Sequence, residues 1–223
     1  MAKIEKLKPD EAWRYDLLYP VLKDAFRILY ISYQKLHADK QNNPYTKPEK
    51  SKRWFLEDAI TDDLIKDEYE FDKDFDYSLI PQYKNILRKS RIDIAIHWRL
   101  TFGKYINIEI ECKLLNKSNL DYIIKGGIHK FKANKYAENA PLAGMLNYNT
   151  SGTIPKNIGL LNSKIDQKIS PSDVLNSFKM IDNYHHTYIS RHQRVSNSSI
   201  DLYTIAFDFK DVIRNSDKEK NQL

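Results

Sequence analysis

A single cysteine, only six glycines and no long uninterrupted apolar run set the outer limits for this 223-residue sequence. One cysteine excludes an internal disulfide framework and any multi-cysteine zinc site. No apolar stretch approaches the ~18 residues that a membrane-spanning helix needs. The opening residues, MAKIEKLKPDEAWRYD, lack the apolar core of a secretory signal, so a cytoplasmic location, with no membrane partner, is expected. The few glycines form no phosphate-cradling loop and no Walker sequence, and no segment repeats. What is present describes an ordinary, somewhat polar globular chain, 41% hydrophobic and 30% charged, long enough to bury a core.

Charge is unevenly placed along it. Between Glu57 and Asp76 ten acids stand against two lysines, whereas between Lys84 and Lys135 twelve Lys or Arg stand against four acids. The acidic run DEYEFDKDFD reads as a solvated surface loop. The basic block, in a chain of net charge +6, is suited to drawing phosphates toward whatever it surrounds.

Within that block lies the most informative stretch, Arg91 to Asn116. Ile92, Ile94 and Ile96 alternate with Asp93, Ala95 and His97; later, Ile106, Ile108, Ile110 and Cys112 alternate with Asn107, Glu109, Glu111 and Lys113. A period of two in β-branched residues predicts two strands, and Thr101 to Lys104, with Gly103, suits the turn between them. Glu109, Glu111 and Lys113 then leave one face of the second strand. Antiparallel pairing sets Asp93 opposite or diagonal to Glu111, and like charges so placed repel. Something positive belongs between them: a divalent cation, Lys113, or both.

Asp93, seventeen intervening residues and Glu111-Cys112-Lys113 resemble the two-part signature of the PD-(D/E)xK nuclease superfamily, whose fold is termed restriction-endonuclease-like. Ile92 stands where the family name has proline. The resemblance spans about residues 50 to 210 but rests on three motif residues, and placement on successive amphipathic strands is what lifts it above a chance match. It implies an α/β fold, a mixed β-sheet flanked by helices, preceded here by a helical N-terminal segment. It also implies a Mg²⁺-dependent endonuclease, with Mn²⁺ able to substitute, hydrolysing phosphodiester bonds of nucleic acid, DNA ahead of RNA, in a setting of bacterial or phage defence. Asp93, Glu111 and the Cys112 backbone carbonyl would hold the metal. Lys113 would orient the attacking water and offset charge in the transition state, its competing role being that of a structural counter-ion. Members often add a carboxylate from a helix before the hairpin, and Glu57 is the candidate, ahead of Asp58. A first-turn acid favoured by the helix dipole is the plainer account of Glu57.

The remaining chain supplies the frame. Residues 10 to 38 read as one long helix, or two joined at Pro20, packing on the core or on a dimer partner, with a loop to Lys50. Residues 51 to 66 read as a second helix. A helix from Ser118 or Asn119 to about Ala137 would carry Lys125, His129, Lys132 and Lys135 as a stripe, a phosphate-contacting face set against plain solvation, with Gly126-Gly127 costing stability unless a close contact needs them. A strand over 142 to 148, a helix over 154 to 168, a helix starting at Ser170-Pro171-Ser172-Asp173 and running to about His185, and a central strand over 200 to 209 follow. Arg191 and Arg194 lie in a basic stretch similar to segments that touch nucleic acid in some restriction-like nucleases. His185, His186 and His192 lack the companions of a metal site. The expected organisation is a helical segment at 1–50, a nuclease domain at 51–213 and a polar tail at 214–223. Specificity would come from a partner protein or a homodimer. The competing function is a non-cleaving nucleic-acid-binding or regulatory subunit.

Overall fold

A computed structural model describes residues 9–46, 53–66, 77–81, 84–85, 90–99, 105–138 and 140–214. In chain order these form α1 (Pro9–Asn42), β1 (Tyr45–Thr46), α2 (Arg53–Lys66), β2 (Tyr77–Pro81), β3 (Lys84–Asn85), β4 (Ser90–Arg91), β5 (Ile94–Arg99) and β6 (Tyr105–Leu115). There follow α3 (Leu120–Ile123), a π-helical turn (Ile124–Ile128), α4 (His129–Lys132), β7 (Leu142–Asn149) and α5 (Ile154–Lys168). The chain closes with β8 (Asn176–Ser177), β9 (Thr187–Gln193), β10 (Ser199–Asp208) and β11 (Ile213–Arg214). The predicted turn at 101–104, the acidic run at 67–76 and the tail beyond 214 lie outside the described residues.

Seven strands make one mixed sheet in the order β2-β5-β6-β7-β10-β9-β8. The central trio β6, β7 and β10 is parallel, and the outer pairs are antiparallel. Its edges are β2, which ends at Pro81, and the two-residue β8; a proline and a very short strand both discourage further pairing. Helices cover both faces, as an α/β chain with parallel central strands requires.

Strand alternation assigns the faces. On one, Ile108, Ile110, Cys112 and Leu114 of β6 join Phe26, Leu29, Ile60 and Leu64 of α1 and α2 in the larger core. The long first helix therefore packs on the sheet as one unbroken element, with Pro20 exposed. Gly144 permits the contact, since a Cβ there would stand 3.1 Å from Phe26 Cζ and 2.7 Å from Ile110 Cγ1. On the other face, Leu120, Ile124, Phe131, Ile158 and Leu161 pack on Ala143, Met145, Leu202 and Ala206. Strand β10 is buried along nearly its whole length on both faces, as its apolar sequence predicts.

Two predicted helices end early. The helix after β6 bulges into a π turn at Gly126-Gly127 and then stops. Lys135 N donates to Lys130 O and Asn134 N to Phe131 O, with Asn134 at φ 55°, a left-handed residue closing the helix in a Schellman motif. Lys135 thus lies beyond the helix. The helix predicted from Ser170 to His185 is only a 3-10 turn, Pro171–Asp173. The Ser170 side chain does accept from Ser172 N, but the next backbone groups find tertiary partners: Leu175 exchanges two hydrogen bonds with the Asn162 side chain, and β8 pairs with β9. At its C-terminal end, α1 runs to Asn42, where a loop from Ala38 was expected, and Tyr45–Thr46 then pairs in parallel with β11.

Candidate active site

The site begins where a strand pairing stops. β5 pairs with β6 as far as Ile94 opposite Ile110, so the next backbone donors of β6 on that edge lack a partner strand. Side chains take its place. Asp93 Oδ2 accepts from Cys112 N at 2.7 Å, and Glu57 Oε2, from the buried side of α2, accepts from Leu114 N at 3.1 Å. Two carboxylates are thereby fixed along the open edge of the strand that carries Glu111 and Lys113.

All of them converge on one ammonium. Lys113 Nζ lies 2.9 Å from Glu57 Oε1, 2.8 Å from Glu111 Oε1 and 3.5 Å from Asp93 Oδ2, and it donates to the Cys112 carbonyl. Lys113 and Glu111 are each 2% exposed. A second cation, Lys130, stands 3.6 Å from Glu111 Oε1 and also donates to the Tyr136 hydroxyl. Over the cluster, the Tyr122 ring centroid is 5.3 Å from Lys113 Nζ, and a Cβ on Gly126 would come within 3.5 Å of Lys113 Cε. The backbone of the π turn thus packs beside Lys113, and the tighter contact of such a Cβ would be with the Tyr122 ring, 3.3 Å from Cε2. Single π turns inside helices are frequent at functional sites.

Burial and charge set the protonation states. Burial works against the Lys113 ammonium, but Glu111, Asp93 and Glu57 outweigh it and push its pKa upward. Burial raises Glu57, with Lys113 offsetting part of the rise. Glu111 is raised to about 8, by burial first and then by Asp93, and its contacts with Lys113 and Lys130 only partly oppose this. Strongly shifted carboxyls beside a cation mark sites adapted for chemistry more often than surface ion pairs do.

The donor set suits a hard divalent cation. Carboxylate and carbonyl oxygens are the ligands such ions prefer, and Glu111 Oε2 is buried without a hydrogen bond, a ligand atom held in reserve. Among the described residues, no three His, Cys, Asp or Glu side chains stand ready as a ligand group; the carboxylates gather around Lys113 instead. Of the two charges expected between Asp93 and Glu111, the protein itself supplies the lysine.

Other expected residues are placed elsewhere. Arg194 is buried and gives its guanidinium to the carbonyls of Ala137 (2.6 Å) and Glu138 (2.9 Å). This corrects its assignment to a nucleic-acid surface: Arg194 pins the strained Ala137, at φ 48°. Glu109, on the same face of β6 as Glu111, receives Ala137 N at 2.7 Å and belongs to that clamp. Lys132 is half-buried, with its ammonium bonded to Asp173. Arg191 is bidentate to Asp201 at 2.6 and 2.8 Å. Lys125 and Lys135 are exposed, on the π turn and beyond the helix respectively, so Lys125, His129, Lys132 and Lys135 form no single helical stripe. Fully buried His192 bridges Asp173 and Ser190, each at 2.8 Å. The order Ser-His-Asp is that of a hydrolase relay, but Ser190 is 2% exposed and the chain of bonds ties β9 to the Pro171–Asp173 turn.

Sequence reasoning missed Lys130, Tyr122 and Asn147. The π turn inserts an extra residue into the helical repeat, and Lys130, absent from the predicted stripe, is the residue that reaches Glu111. Asn147 lies opposite Lys113 in the β6–β7 register, on the same face, fully buried, with neither amide atom hydrogen-bonded. A buried unsatisfied amide costs about 1–3 kcal/mol. Asn147→Leu is therefore expected to raise the melting temperature of the metal-free protein. Should cleavage fall in the same variant, the amide serves the site at the expense of the fold; an unchanged or lowered melting temperature counts against this account.

The chain matches no protein-family model, no curated protein and no solved structure.

Proposed function

We propose that this protein is a metal-dependent nuclease of the restriction-endonuclease-like class, cleaving phosphodiester bonds of nucleic acid, DNA ahead of RNA, in the cytoplasm. One observation carries the proposal: Glu57, Asp93, Glu111 and Lys113, dispersed over 57 positions of sequence, meet at one point on the free edge of β6. Asp93, Glu111 and the Cys112 carbonyl would hold Mg²⁺ or Mn²⁺, with Glu57 completing the set. Bound there, the ion would polarise the scissile phosphate and lower the pKa of an attacking water. Lys113, on the same face as Glu111, would orient that water and offset charge building on the phosphate oxygens. Lys130 reinforces the positive side of the site. The exposed Lys125 and Lys135, in the basic block, are suited to phosphate contacts of the non-specific kind.

A second reading has its own support. Lys113 already pairs with one oxygen of each carboxylate, which favours a non-cleaving binding or regulatory subunit that keeps the architecture. Incubating the pure protein with plasmid and with RNA, in Mg²⁺ or in EDTA, separates the two. Mg²⁺-dependent strand breakage, together with anomalous density between Asp93 and Glu111 in a Mn²⁺-soaked crystal, is the expected result. Salt-sensitive binding without breakage would favour the second reading.

A further inference from the structure

We propose that Tyr122 is a stacking platform for an unpaired nucleobase, so that the site takes single-stranded or locally unpaired nucleic acid. This rests on the nuclease reading and adds the form of its substrate. The first support is depth. The side chains of Lys113 and Glu111 are 2% exposed, that of Glu57 is 9%, and that of Asp93, the most open, is 13%. Duplex DNA is stiff over many base pairs, so its regular backbone reaches a recessed point poorly. A strand freed from its complement bends freely enough to enter.

The second support is the ring at the mouth. Among the described residues, the exposed large hydrophobic side chains are Phe55, Val195 and Tyr122, and Tyr122 is 54% exposed. Its ring covers Lys113 and lies against Gly126, where an added Cβ would be 3.3 Å from Cε2. The rest of the ring is open to solvent directly above the group that would face the scissile phosphate. Lys125, three residues on and exposed, adds a positive charge to the same stretch of surface. An aromatic face next to a lysine matches a base next to its phosphate, and such stacking tolerates any base because every base has a π face. In a duplex those faces are already stacked on their neighbours, so an unpaired base is the occupant that fits.

The test is fluorescence anisotropy in EDTA, with a short labelled single strand and the same strand annealed to its complement. Tyr122→Ala is expected to weaken single-strand binding about 5- to 150-fold, Tyr122→Phe to stay within about twofold of wild type, and duplex binding to change less than single-strand binding in both. Both variants should melt as wild type does, since the ring is surface-exposed. Equal losses on the two probes, or no loss on the single strand, overturn the proposal. Cleavage in Mg²⁺ distinguishes the levels of failure. Wild-type protein that cuts duplex as readily as single strand sinks the stacking proposal and leaves the nuclease reading standing; protein that cuts neither sinks both.

Discussion

Replacing Lys113 by alanine is expected to destabilise the metal-free protein severely and to abolish cleavage even when metal restores the fold. The first effect follows from burial. Without its ammonium, Glu57, Asp93 and Glu111 face one another across a nearly dry site, where, among the described residues, the partly exposed Lys130 is the one cation left near Glu111. Breaking a buried ion pair by removing one partner typically costs about 3–5 kcal/mol, which for a chain of this size lowers the melting temperature by roughly 6–20 °C. Mn²⁺ should recover much of that loss, because a divalent cation bound by the native carboxylates stabilises the fold by mass action. The second effect is chemical: losing transition-state charge stabilisation of this kind costs about 10²- to 10³-fold in rate. Melting curves with and without Mn²⁺, run beside cleavage rates at saturating metal, read the two effects separately. A Lys113→Ala protein that melts early, is rescued by Mn²⁺ and still cuts at the wild-type rate would reduce Lys113 to a counter-ion.

The metal-free protein is also expected to lose stability as pH rises from about 4.5 to about 8, with Glu111 responsible. Burial, then the neighbouring Asp93, raise its pKa from 4.5 to about 8. Below the lower value, native and unfolded chains both hold the proton. Between the two, the unfolded chain has released it while the native chain keeps it, so the native state binds more protons and the unfolding free energy falls with pH, by at most ~1.4 kcal/mol per unit. Above about 8 both forms are ionised and the slope ends. Glu57, also raised by burial, adds to the same trend. His192, lowered by burial, opposes it at acidic pH, so the informative quantity is the difference between wild type and Glu111→Gln. That variant removes the titrating proton at nearly constant shape, and the wild-type excess slope should vanish in it. Metal held by Glu111 requires the ionised carboxylate, so Mg²⁺ or Mn²⁺ binding below pH 8 should release a proton, seen calorimetrically as a binding enthalpy that varies with the buffer. Identical pH profiles for the two proteins would show that Glu111 does not titrate in this window.

Much of this arrangement is local in origin and can be read from the chain. Period-two alternation fixes that Glu109, Glu111 and Lys113 leave one face of β6 while Ile108, Ile110 and Cys112 leave the other, because backbone geometry alone sends successive side chains to opposite sides. The helix containing Glu57, its position at the border of the apolar face, the long N-terminal helix, α5 and the buried β10 follow from the same periodicities. These patterns need no knowledge of what lies across the fold.

Which groups meet is another matter, because it depends on where separate elements end. That β5 stops pairing at Ile94, leaving the Cys112 and Leu114 amides to Asp93 and Glu57, is a property of two strands and a helix together. So is the identity of the cation between the carboxylates: alternation admits a metal or Lys113, and only the packed site shows the ammonium bonded to all three. Arg194 and Lys132 carry the same positive charge as Lys125, and nothing local distinguishes them. Tertiary contact buries the first beneath the carbonyls of Ala137 and Glu138 and ties the second to Asp173, leaving Lys125 in solvent. The helix predicted from Ser170 fails for the same reason, its backbone groups captured by Asn162 and β9. The sequence by itself determined which residues share a face; the tertiary structure decided which of them touch, because hydrogen bonds and ion pairs form between elements that the chain brings together only once it has folded.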